Sequence, residues 1–150
     1  MTGTKDSAAA QHAPPMLALT QCRRDSSNMG ERRDCAVIAL AIACGVSYAR
    51  AHACLKSAGR CDRCGTHNHT IEQAILKAGR RYSVKYSRLV KYREKPITVC
   101  RLLDWELPKR GAFIVRTSSH FFAYVDGKVY CWMKHNSRAR VQRAWQIIGD

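Results

Sequence analysis

Two side chains in this sequence have the chemistry of a nucleophile and its base. Cys35 follows Asp34 at the head of an apolar run, and His120 opens a second apolar run 85 residues later. A thiol at a helix start meets backbone N–H groups that have no helical partner and the positive end of the helix dipole, and both favour the thiolate. An imidazole within hydrogen-bond reach completes the activation of such a nucleophile. The pair points to a cysteine hydrolase that works through a thioester. Each residue also has a plainer reading, since cysteine is among the most buried residue types and a histidine at a strand edge needs no special role. Cys44, Cys54 and Cys100 fit that plainer reading; Cys35 and His120 are singled out by their joint placement.

The elements that must position this pair are legible as two halves. Met1 to Gln21 is rich in Ala, Thr, Ser and Pro without hydrophobic period and reads as a disordered leader, with one domain over 22–150. Asp34 is expected to cap a helix from Cys35 to Cys44 that is apolar on nearly every face, and therefore central, with Gly45 as its stop. Ser47 caps a second helix to Ala58, ended by Gly59, and Thr70 with Gln73 forms a capping box for a third that runs to Ala78 and ends at Gly79. The second half changes period. Tyr82, Val84 and Tyr86 alternate with Arg81, Ser83, Lys85 and Ser87 as in a half-buried strand, which puts the three on one face. Thr98 caps a short helix to about Trp105, stopped by Pro108. Strands are expected over Ala112–Thr117, His120–Val125, Lys128–Met133 and Val141–Ile148, with Asp126-Gly127 as a tight hairpin turn. Helices first and antiparallel strands after make the fold class α+β.

Bulk composition narrows the setting. The chain has 150 residues, enough for a core without disulfide staples, and no run of about 18 apolar residues that would span a membrane. The N-terminus shows no basic-then-apolar signal pattern, so a reducing cytoplasm is expected, with the eight scattered cysteines as free thiols or ligands rather than bridges. A net charge of +15 predicts attraction to polyanions, either an acidic protein or peptide or a nucleic acid; a plain arginine-rich composition gives the same number. No membrane partner and no cofactor are expected, and a monomer is.

A helix begun by cysteine and followed by a histidine-bearing antiparallel sheet resembles the papain-like cysteine peptidases, and the local text resembles bacteriocin-processing peptidase domains and, more closely, small phage and bacterial papain-like proteins. The words that carry it are Asp34-Cys35-Ala36-Val37, Gly45-Val46-Ser47-Tyr48, Ala58-Gly59-Arg60, Gly65-Thr66 with Thr70-Ile71-Glu72, Phe113-Ile114-Val115, His120 through Gly127, and Val129-Tyr130. They cover roughly residues 31–148. The resemblance implies a papain-like fold, a peptidase or isopeptidase activity with Cys35 as nucleophile and His120 as base, and a place in a host-cell cytoplasm or a virion. It also implies an Asp that orients the histidine, at the position held here by Cys131; Asp126 and Asn136 are the candidate substitutes. An oxyanion donor is implied upstream of the nucleophile, where Met29 and Arg33 occupy the matching positions and Asn28 is the candidate. The Cys131 departure favours an alternative, a catalytically silent relative that binds an acidic host protein or nucleic acid.

Two further patterns stand outside this pair. Cys61-Asp62-Arg63-Cys64 precedes His67 and His69, with His52 and Cys54 upstream, and offers ligands for zinc; a basic loop carrying free thiols is the alternative, and no metal site is assigned. Lys77 to Lys95 interleaves Lys77, Arg80, Arg81, Lys85, Arg88, Lys91, Arg93 and Lys95 with Tyr82, Tyr86 and Tyr92. Such a stretch suits single-stranded nucleic acid, yet tyrosines sharing a face with Val84 suggest core.

Overall fold

Apolar helical segments cover both faces of one antiparallel sheet, the longer helices on one side and a short helical turn on the other. The computed structural model describes residues 15–28, 34–60, 66–88, 97–118, 120–131 and 137–149. Among them, α1 is Pro15–Asn28, α2 Cys35–Cys44, α3 Tyr48–Ser57, α4 Asn68–Lys77 and α5 Val99–Arg101, the last widening into a π-helical turn over Leu102–Glu106. The strands are β1 Arg81–Ser87, β2 Ala112–Thr117, β3 Phe121–Val125, β4 Lys128–Tyr130 and β5 Val141–Ile148. They form one sheet in the order β1-β5-β2-β3-β4, with every neighbouring pair antiparallel. The α+β class expected from the sequence is therefore present.

The core has two layers. Ile114, Phe121, Ala123, Tyr130 and Trp145 face α2, α3 and α4, whose Val37, Ile38, Leu40, Leu55, Ile71 and Ile75 are fully buried. Each such side chain contributes roughly 1.5–3 kcal/mol of burial, so α2, apolar all round, anchors the molecule. The opposite sheet face carries Phe113, Val115, Phe122, Tyr124 and Ala144, covered by Val99, Leu102, Leu103 and Leu107. No single helix among the described residues is long and apolar enough to cross a membrane.

Several expectations hold in detail. Ser47 Oγ accepts from the Arg50 N–H, Gly45 ends α2 at φ 67°, and Asp126 and Gly127 both take positive φ in the β3–β4 turn. Others are corrected. Asp34 sits at the N-cap position but makes no capping bond; its carboxylate instead accepts from Tyr48 Oη at 2.7 Å. α4 starts at Asn68, so Thr70 lies inside its first turn rather than at its cap. Residues 15–21, assigned to the leader by composition, are the first turns of α1, with Leu19, Cys22 and Ser26 buried along one stripe. β1 carries a bulge between Val84 and Tyr86. The extra residue flips the later side chains to the other face, so Tyr82 packs on the helical layer, Tyr86 in the opposite layer, and Val84 is exposed. The three do not share a face.

Candidate active site

The N-terminus of α2 packs against the start of β3: Cys35 lies with the helix-covered layer beside Phe121, while the ring of His120, the residue before Phe121, lies with Phe122 and Cys131 of the other layer. Cys35 is half-buried, and the N–H groups of Phe121 and Ala36 favour its thiolate. Phe121 is the residue after His120, so one peptide unit, about 3.8 Å between Cα atoms, separates the two. The His120 backbone is fixed in turn: its carbonyl accepts from the Thr117 N–H at 2.8 Å and from Thr117 Oγ1 at 3.3 Å, which closes the β2–β3 connection.

Nε2 of the His120 ring touches Cys131 Sγ at 2.6 Å, and the ring stacks on Phe122 with centroids 6.5 Å apart. Cys131 follows β4 and is held by α1, because Arg23 Nη2 donates to its carbonyl at 3.1 Å. The position at which the resemblance implies an acid is thus occupied, in space as well as in sequence, by a thiol.

Asp126 is not part of this group. Its Oδ1 accepts from the Gly111 N–H at 3.0 Å and its N–H donates to the Gly111 carbonyl at 2.9 Å. It sits in the turn at the far end of β3 from His120, roughly 3.4 Å further for each residue of strand, and serves the hairpin. Asn28 closes α1, but its side chain, like Met29, Arg33 and Asn136, lies outside the described residues.

The electrostatics of Cys35 differ from the simple helix-start expectation. Burial raises its pKa above the ordinary 9.0, outweighing the two N–H donors and the Arg60 guanidinium, which favour the thiolate, while the Asp34 carboxylate adds to the rise. The resting group is a neutral thiol, which calls for a base at the moment of attack.

A neighbouring group escaped the sequence reading. Arg116 of β2 faces Phe121 across the β2–β3 pair and Arg143 across the β2–β5 pair. Its guanidinium lies 5.2 Å from the Phe121 ring centroid, and Nη1 donates to Asn68 Oδ1 at 2.5 Å. Arg143 is neutralised by Glu72 at 2.6 Å, and Glu72 also accepts from Trp145 Nε1 at 3.0 Å and Tyr82 Oη at 3.3 Å. The available signal was a charge at an inward position: Ala112, Ile114 and Arg116 share the helix-covered face of β2.

The remaining candidates lie elsewhere. Cys61 and Cys64 are outside the described residues, and among those described no three His, Cys, Asp or Glu side chains gather to hold a metal. His52 is buried beside Tyr48, with ring centroids 6.1 Å apart. In the basic stretch, Tyr82 and Tyr86 serve the two core layers, whereas Lys91, Tyr92, Arg93 and Lys95 lie outside the described residues. No protein-family model, curated protein or solved structure matches the chain.

Proposed function

We propose that this protein is a cysteine hydrolase of papain-like type that cleaves a peptide-type bond, with Cys35 as nucleophile and His120 as base. What supports it is the place of the thiol: Cys35 opens α2 and packs against the core cluster that contains Phe121, the residue that follows His120. In this mechanism His120 uses its two nitrogens differently. The mechanism uses the tautomer with the hydrogen on Nε2, the nitrogen 2.6 Å from Cys131 Sγ, so that Nδ1 is the acceptor for the Cys35 proton. As the sulfur attacks the carbonyl carbon, that proton passes to Nδ1 and the carbonyl oxygen becomes an oxyanion. The backbone N–H of Cys35, at the start of α2, is a donor for it. The imidazolium then protonates the leaving amine and the thioester forms. Nδ1 next takes a proton from water, whose oxygen attacks the thioester and releases the acid and the thiol.

A second reading, the silent binding protein, is favoured by the raised Cys35 pKa and by a thiol in place of an acid beside His120. Alkylation by iodoacetamide with peptide mapping separates the two. The hydrolase reading expects Cys35 to be the fastest-labelled thiol at neutral pH and His120→Ala to slow it at least tenfold. Equal rates at Cys35 and the exposed Cys100, or indifference to His120→Ala, would leave the binding protein standing.

A further inference from the structure

We infer that Arg116 is a specificity residue: with Asn68 it forms a site beside Cys35 for a carboxylate on the substrate, next to the bond under attack. The inference rests on the hydrolase reading for the word substrate, but the site itself rests on geometry. Two guanidiniums stand side by side on the helix-covered face of the sheet, Arg116 on β2 and Arg143 on β5. Arg143 has a carboxylate, Glu72, at 2.6 Å. Arg116 has none among the described residues; its polar partner is the neutral amide oxygen of Asn68, and its flat face rests on Phe121. Cys35 packs against the core cluster that contains Phe121, whose N–H favours its thiolate, so the cation and the thiol flank one residue of β3.

A half-buried cation held in one orientation by a neutral amide and an aromatic face is a preorganised anion receptor. Its desolvation is already incurred, and the planar fork matches a carboxylate. Partial burial and the neighbouring Arg143 charge both disfavour the Arg116 cation, whereas negative charge on Cys35 favours it. A substrate carboxylate would supply the missing countercharge. Electrostatic selection of an acidic chain also agrees with the +15 net charge.

The test compares two alkylating reagents of nearly equal size, anionic iodoacetate and neutral iodoacetamide, on the full chain. The ratio of their rates at Cys35 divides out the thiolate fraction, and the same ratio at exposed Cys100 divides out the global positive field. The ratio at Cys35 is expected to exceed that at Cys100 by about tenfold, the effect of one partly screened ion pair. Arg116→Met, which keeps an apolar contact with Phe121, should bring it down to the Cys100 value. Asn68→Asp, which gives Arg116 an internal carboxylate without removing it, should do the same. A wild-type ratio equal to that of Cys100, or a ratio that survives both substitutions, overturns the inference. Protection of Cys35 by N-acetyl-glutamate α-amide would assign the carboxylate to an acidic side chain, and protection by N-acetyl-alanine to a chain terminus; protection by neither counts against the site. Alkylation needs no turnover, so a chain that hydrolyses nothing yet keeps the ratio retains the carboxylate site and loses only the hydrolase reading.

Discussion

α2 begins and ends on cysteine, and the two thiols occupy opposite chemical settings. Cys35 is half-buried at the edge of the core, where the Ala36 and Phe121 N–H groups and the Arg60 charge favour its thiolate and Arg116 lies close by. Cys44, ten residues into the same helix, is enclosed by apolar packing, and burial pushes its pKa up to about 12 despite the nearby Arg80 and Arg50 charges. Burial raises both, so a place at a helix start does not by itself make a reactive thiol. What separates the two in the structure is access: Cys35 is half-buried and Cys44 is buried.

The widest gap should appear in alkylation. Each pH unit by which a thiol's pKa is raised lowers its thiolate fraction about tenfold, so native Cys44 should label about a thousandfold more slowly than an unperturbed thiol, and only through opening of the core. Cys44 labelling in the native protein at a rate near that of Cys35 would erase the contrast. A smaller effect tests the group around His120. Cys131→Ala should slow Cys35 labelling about ten- to a hundredfold, as loss of an orienting partner does, and Cys131→Asp should restore it. An unchanged rate in Cys131→Ala would show that the 2.6 Å contact orients nothing.

Stability tests the closed end of the contrast. Cys22, like Cys44, is buried and pushed up to about 12 from 9.0. Above pH 9 the unfolded chain releases these two protons while the folded chain keeps them. Stability is therefore full below pH 9 and falls as pH rises toward 12, with a slope approaching about 1.4 kcal/mol per pH unit for each thiol. Urea midpoints across that range measure it, and a flat profile would contradict the burial. The smallest effect concerns the far end of β3. Asp126→Ala loses the acceptor for the Gly111 N–H and places alanine at φ 49°, a cost of about 1–2 kcal/mol. It should lower the melting temperature and leave Cys35 labelling unchanged.

Much of this arrangement was legible because it follows short-range rules. An unbroken apolar run specified α2, Gly45 its end, Ser47 the next start and Asp126-Gly127 the hairpin. Cys35 stands out in the sequence because its position at the head of that run is unusual. Long-range effects were not legible. Asp34 has the residue type of a cap, but Tyr48 claims its carboxylate from another helix. The β1 bulge depends on pairing with β5 rather than on local alternation. Asp126 carries the charge of an orienting acid at the wrong end of a strand. Arg116 became visible only when the strands were paired and its face known.

The bond from Arg23 to the Cys131 carbonyl gives the N-terminal segment a mechanical duty. It ties α1 to the stretch of backbone that presents a sulfur to the imidazole. Deleting residues up to Gln21, as composition alone would invite, strips the buried Leu19 and half of that helix. A stub of seven residues is too short to hold helical form unaided. The shortened chain would lose the helix that holds Arg23 against the Cys131 carbonyl.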